Sequence, residues 1–239
     1  MRETRQELTR TRVIDKVKSH KKSKNNFDFE IEKLKEKLLD SNLSHKSFNR
    51  ILKTIDILQS ASIAEGFLNV GDQAPDFTLT NTFGKEIKLS EAVKKGKVVL
   101  NFFRGGWCPY CYLELRALQK KYSLIKEGGA QIISVTPDNI DECKRTISRN
   151  QLQFDILSDK GNKVAEKYRL ISKPEERDHN SLLDIGLEHA IDSGDISYQL
   201  PVPGIFVIDE WMTVRFAYQD PDYKKRVNMN LLLDCLRLI

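Results

Sequence analysis

Phe102-Phe103-Arg104-Gly105-Gly106-Trp107-Cys108-Pro109-Tyr110-Cys111 joins an apolar run to a helical pattern through a turn that carries two cysteines. Upstream, Lys97-Val98-Val99-Leu100-Asn101-Phe102-Phe103 is short, β-branched and aromatic, the composition of a buried strand. Downstream, Leu113, Leu115, Ala117, Leu118 and Tyr122 recur at a mostly helical spacing, and the pattern runs to the stop signal Gly128-Gly129. The cysteines therefore stand where a helix begins. Free N–H groups and the positive dipole end at that place stabilise a thiolate, lowering a cysteine pKa from about 8.5. Two residues between the sulfurs leave them within disulfide reach, so the pair can cycle between dithiol and disulfide. A zinc site would need a second Cys-x-x-Cys or a His pair at finger spacing, and neither follows.

The chain has 239 residues, 40% of them hydrophobic, which suits one sizeable domain plus an appendage. No apolar stretch approaches the roughly 18 residues of a membrane span, and no basic-then-apolar signal opens the sequence. Four cysteines over this length fit a reducing compartment, so the cytoplasm is the expected location. Glu3, Glu7 and Asp15 argue against an acid-poor transit peptide.

Charge is concentrated at the start. Residues 1–24 hold nine Lys/Arg against three Asp/Glu, a balance of +6 where the whole chain carries +5. The run from His20 to Asn26 has nothing to bury and reads as a solvated, flexible extension. It lacks the aromatic residues and motifs of a nucleic-acid surface, so nucleic acid is not an expected partner. Residues 25–68 read as a two-helix lead: Phe27, Ile31, Leu34 and Leu38 share a helical face, and so do Phe48, Ile51, Leu52, Ile55 and Leu58, with Gly66 ending the second. These faces need a cover, either the following domain or a second copy in a homodimer.

Residues 69–239 read as a layered α/β domain. Thr78-Leu79 and Glu86-Ile87-Lys88-Leu89 suggest a hairpin around Asn81-Thr82-Phe83-Gly84, followed by a helical stub capped by Ser90. Beyond the cysteine helix, strands are expected at 131–135, 154–157, 204–209 and 214–218, with helices at 138–150, 164–168 and 228–238. A charged segment from Lys173 to Gly194 reads as an inserted helix.

The order of elements and several motifs resemble the thioredoxin-like superfamily, and within it the peroxiredoxin-like proteins of the alkyl hydroperoxide reductase/thiol-specific antioxidant (AhpC/TSA) group. The likeness rests on Gly71-Asp72-Gln73-Ala74-Pro75-Asp76-Phe77-Thr78-Leu79, the block from Phe102 to Leu118, Leu157-Ser158-Asp159 with Gly161-Asn162, and Phe206-Val207-Ile208-Asp209. It implies a thioredoxin-like fold, a central mixed β-sheet flanked by helices, here with an N-terminal helical extension. It also implies a cysteine sulfenic-acid mechanism. Sliding the peroxiredoxin pattern Pro-x-x-x-Thr/Ser-x-x-Cys along the chain places Cys111 at the peroxidatic position, Cys108 in the hydroxyl place and Arg104 in the proline place. The arginine that such proteins supply before the strand matching Phe206-Val207-Ile208 falls on Pro203. Trp107-Cys108-Pro109-Tyr110-Cys111 is similar instead to the thioredoxin active-site turn, and Pro203 to the cis-proline set against it.

Two mechanisms follow. In one, Cys111 attacks a hydrogen or organic peroxide, Arg104 supplies positive charge, and Cys108 resolves the sulfenic acid to a disulfide that thioredoxin or a glutathione-type thiol reduces. In the other, Cys108 is the nucleophile of a thiol–disulfide oxidoreductase and Cys111 resolves. A non-enzymatic redox sensor is a third reading. Cys143 and Cys235 are expected to be packed thiols, with Cys143 as a further resolving candidate. His20, His45, His179 and His189 sit in polar surroundings with no general-base role expected. No phosphate loop, dinucleotide fingerprint or haem ligand set occurs, so no cofactor is expected.

Overall fold

The computed structural model describes residues 62–63, 66–173, 200–220 and 222–239. The basic extension, residues 25–61 of the two-helix lead with its dimer surface, the body of the inserted segment and all four histidines lie outside these residues; Ser62–Ile63, expected to continue the second helix to Gly66, instead form a strand paired antiparallel with Ser172 and Lys173. The strands are β1 (Ser62–Ile63), β2 (Thr78–Asn81), β3 (Glu86–Lys88), β4 (Lys97–Phe102), β5 (Ala130–Thr136), β6 (Asp155–Ser158), β7 (Ile171–Lys173), β8 (Leu200–Pro201), β9 (Gly204–Ile208) and β10 (Val214–Gln219). The helices are α1 (Leu89–Ala92), α2 (Pro109–Lys120), α3 (Tyr122–Glu127), α4 (Ile140–Asn150), α5 (Lys163–Lys167) and α6 (Met229–Leu238).

Seven strands form one mixed sheet in the order β10-β9-β4-β5-β6-β2-β3. The strand leading to the cysteines lies inside it, with Val99 opposite Ile132 in parallel β5 and opposite Val207 in antiparallel β9. A strand buried on both faces reads as a continuous apolar run, as Val98-Val99-Leu100 does. Alternation then divides the core. Val99 and Phe103 face the side covered by α2, α4 and α6, whereas Val98, Leu100 and Phe102 face α1 and α5. On the second side Phe102, Tyr168 and Phe206 pack their rings at 4.9–6.1 Å, a spacing at which aromatic pairs add to the burial of their area.

The expected hairpin forms, with Leu79 opposite Ile87 at one edge of the sheet. Two local readings change. Ser90 does not cap α1; the helix starts one residue earlier, and Asp76 Oδ1 accepts the Ser90 N–H at 3.0 Å, a carboxylate from a neighbouring segment doing the capping. The helical pattern after the cysteines also breaks at Lys121, whose ψ of 5° re-aims the next turn so that Ile125 is buried. Lys97 ties this region together by donating to the Gly128 and Leu236 carbonyls, each at 3.2 Å, where α3 and α6 end.

Candidate active site

The site lies past the carboxyl end of β4, the edge at which open α/β sheets present their ligand-binding loops. The chain leaves the strand with the Phe103 N–H bonded to the Val135 carbonyl at 3.0 Å, so the loop is anchored to β5 before it turns. Gly105 and Gly106 are there because no side chain fits. A Cβ on Gly105 would strike the Trp107 indole and reach 2.8 Å from Asp138 Oδ1, and one on Gly106 would strike the Thr146 hydroxyl. The close approach lets Asp138 Oδ2 accept the Gly106 N–H at 2.8 Å. Pro109 occupies the first turn of α2, where its fixed φ is preorganised and its missing N–H leaves no gap. Cys108 is the N-cap residue, and its side chain makes no cap hydrogen bond.

Both sulfurs are buried and face each other, and both are free thiols. Burial pushes the Cys108 thiol up. The Cys111 thiol, the Arg226 and Arg104 guanidiniums and the Cys111 backbone N–H overcome this, bringing it down to about 6. Cys111 goes the other way, held well above the usual thiol range by burial and by the neighbouring Cys108 charge. The two sulfurs thus divide into a thiolate at the helix start and a protonated thiol one turn in.

The charges around them come from two segments. On α2, Glu114 lies three residues after Cys111, one helical turn onward. From the loop between β10 and α6, Arg226 reaches in: its Nε stands 3.0 Å from Glu114 Oε2 and its Nη2 donates to Cys111 Sγ at 3.6 Å. Its Nη1 donates to the Tyr223 carbonyl and to the Lys225 carbonyl. Glu114 and Arg226 are 2% and 1% exposed. Burial raises the Glu114 carboxyl to about 7, against the pull of Arg226. Arg104 is also buried, with its guanidinium carbon 4.0 Å from the centre of the Tyr223 ring. Tyr110 packs edge-on against the same ring at 5.5 Å, so the motif tyrosine locks the loop that carries Arg226. Trp107 is the exposed member of the group, at 39%.

Of the residues expected from sequence, Cys108, Cys111, Arg104, Pro109, Tyr110 and Trp107 come together here. Pro203 is buried just before Gly204, the register partner of Phe102, but no peptide among the described residues is cis, so the thioredoxin-type cis-proline is not formed. Trans is the lower-energy isomer of an X–Pro bond; around it Pro201 is in β8, the Val202 N–H bonds to the Leu170 carbonyl at 2.6 Å, and β9 begins at Gly204. The guanidinium that touches Cys111 comes from Arg226, which sequence reading missed together with Glu114. Glu114 was visible as the one acid a helical turn from Cys111. Arg226 sits in Asp222-Tyr223-Lys224-Lys225-Arg226, where nothing marks one basic residue as buried. Cys143 directs its thiol to the Asp138 carbonyl at 3.7 Å, with its pKa raised by burial and by Asp138 and Glu142, and Cys235 is pushed up to about 12 by burial.

The AhpC/TSA family matches residues 70–217. The chain belongs to that family. Among relatives, a thiol-disulfide oxidoreductase ResA of Bacillus cereus is 33% identical over 139 residues, covering 53% of this chain and 79% of that protein. A Helicobacter pylori protein named as a peroxiredoxin, bcp, is 37% identical over 106 residues, covering 44% of this chain and 69% of its own. Among solved structures, a peroxiredoxin-like protein from Aquifex aeolicus superposes with a TM-score of 0.59 at 18% identity, over 75% of this chain and 92% of the other, which is a likeness of fold. This AhpC/TSA member is an oxidoreductase, and Arg226 lies beyond the matched residues. No helix among the described residues is long and apolar enough to cross a membrane.

Proposed function

We propose that this protein is a thiol-dependent peroxidase in which Cys108 attacks the peroxide and Cys111 resolves the product. The observation that carries the order of the sulfurs is the division of the pair, with Cys108 held as the thiolate and Cys111 as the thiol. The Cys108 thiolate attacks the terminal oxygen of a hydrogen or organic peroxide; the O–O bond breaks, a sulfenic acid forms, and the leaving oxyanion takes a proton to depart as water or alcohol. Arg104 and Arg226 stabilise the negative charge as it moves from sulfur to oxygen. Cys111 then attacks the Cys108 sulfur, the S–O bond breaks, and water leaves. Glu114, with a carboxyl near neutrality, is suited to take the proton from Cys111. A thioredoxin- or glutathione-type thiol reduces the disulfide, and the few cysteines of the chain suit the cytoplasm.

A second reading is favoured by the exposed Trp107 beside Cys108 and by the likeness to ResA. There the same thiolate attacks a protein disulfide. Stopped-flow reaction of Cys108→Ser and Cys111→Ser proteins with hydrogen peroxide, an organic hydroperoxide and oxidised glutathione separates the two. Sulfenic acid trapped on Cys108 in the Cys111→Ser protein is the expected result. If neither variant forms it while the wild type reduces a model protein disulfide, the peroxidase reading fails.

A further inference from the structure

The backbone alone holds the sulfur that attacks first. Cys108 makes no cap hydrogen bond with its side chain. Its N–H goes to the Gly105 carbonyl at 3.2 Å, and its own carbonyl accepts the Tyr112 N–H at 3.0 Å, the first bond of α2. Where the sulfur stands is therefore decided by the turn from Gly105 to Cys108. Among the described residues, one hydrogen bond ties Gly105–Trp107 to a distant part of the chain: the Gly106 N–H donates to Asp138 Oδ2 at 2.8 Å. A charged acceptor makes such a bond roughly twice as strong as a neutral one.

Asp138 is itself fixed from three sides. Its N–H reaches the Thr136 hydroxyl at 3.4 Å, where β5 ends. Its carbonyl accepts the Ser158 hydroxyl of β6 at 2.7 Å and the Cys143 thiol of α4 at 3.7 Å. Its other carboxylate oxygen closes on Gly105, so that a Cβ there would stand 2.8 Å away. The carboxylate is thus a rigid acceptor set by β5, β6 and α4 and presented to the turn.

We infer that Asp138 is a positioning residue of the redox turn: its carboxylate grips the Gly106 N–H and, through that grip, fixes where the Cys108 sulfur meets the peroxide. The inference rests on the peroxide step proposed above, in which Cys108 attacks. A carboxylate near a thiolate disfavours ionisation of the thiol. The negative charge itself therefore does not help Cys108, and the acceptor oxygen is what the turn uses.

The test compares two reagents on Cys108 in the Cys111→Ser chain: hydrogen peroxide, read by trapped sulfenic acid, and iodoacetamide, read by peptide mass. Each limiting rate is taken where it levels off with pH, so that Cys108 is wholly thiolate. Alkylation asks for a thiolate, whereas peroxide attack asks for a placed one. Asp138→Ala is expected to lose about tenfold to a hundredfold in the peroxide rate and no more than about threefold in alkylation. Asp138→Asn, whose amide oxygen accepts the same N–H, should keep the peroxide rate within about threefold of its parent. If Asp138→Ala does not fold, Ser158→Ala takes its place; it frees one support of the Asp138 carbonyl and should lose about threefold to tenfold with peroxide alone. Equal losses in Asp138→Asn and Asp138→Ala would assign the effect to charge, and equal losses with both reagents would assign it to general loosening. Either result overturns the inference, as does an Asp138→Ala chain, or Ser158→Ala in its place, as fast as the parent. A parent chain that forms no sulfenic acid overturns the peroxidase reading and the inference with it, which distinguishes the two failures.

Discussion

Arg226→Met removes the cation on which the buried site depends while keeping much of the side-chain length. The two partners are at most 2% exposed and stand 3.0 Å apart, so this is a pair whose breakage leaves the other charge buried. Removing one member of such a pair costs about 3–5 kcal/mol. Glu114 has an escape, because its carboxyl is already raised to about 7 and protonates at neutral pH once Arg226 stops holding it down. The cost of Arg226→Met at pH 7 is therefore expected at the low end, about 3 kcal/mol, and smaller still at pH 5. Replacing both residues, Arg226→Met with Glu114→Leu, removes the unpaired group and should recover most of the loss, since apolar replacement of a buried pair is often neutral or stabilising. Urea unfolding of the reduced proteins at pH 5 and 7 reads all of these values. A single variant as stable as wild type, or a double variant less stable than the single, would refute the reasoning. The functional reading differs from the obvious one. Loss of an opposite charge raises a neighbouring pKa by about 1–3 units, but a more basic thiolate is also a better nucleophile. The pH midpoint of Cys108 alkylation should therefore move upward more clearly than the rate at pH 7 falls.

Three further outcomes follow from the same geometry. Glu114, raised in the folded state from 4.5 to about 7, binds its proton more tightly folded than unfolded; its stabilisation is complete below pH 4.5 and is lost as pH rises through 7, on the order of 3 kcal/mol. Cys108, lowered from 9.0 to about 6, has the opposite sign, adding stability between pH 6 and 9, so urea midpoints of the reduced protein should pass through a minimum near pH 6–7. Gly106→Ala drives a methyl into the Thr146 hydroxyl and should cost about 1–3 kcal/mol by thermal unfolding and slow the peroxide reaction, with Thr146→Ala in the same chain restoring both.

Much of this architecture could be read from the chain because local signals and tertiary contacts agree. Val98-Val99-Leu100 is apolar on both faces since β4 is covered on both, and Cys108-Pro109 marks a helix start because proline fits only the first turn. Trp107 through Cys111 pointed to the cysteine pair at the helix start for the same reason. What could not be read depends on contacts between distant segments. Arg226 looks like any basic residue of a polar loop until Tyr110 and Tyr223 stack and seat it under Cys111, 115 positions away. Ser90 lost its capping role to Asp76, which lies 14 residues upstream. The motif comparison places Cys111 first, whereas the helix start favours Cys108 as the lower-pKa thiol. The Cys111 thiol and the two guanidiniums act on Cys108 in that same direction.

The central claim is that Cys108 is the thiolate. A pulse of iodoacetamide on the reduced wild-type protein at a series of pH values, with each cysteine quantified by peptide mass, tests it directly. Cys108 is expected to alkylate with a midpoint at about 6, ahead of Cys111 at every pH at which the protein is folded. Preferential labelling of Cys111, or a Cys108 midpoint at the ordinary thiol value of about 8.5, would contradict it.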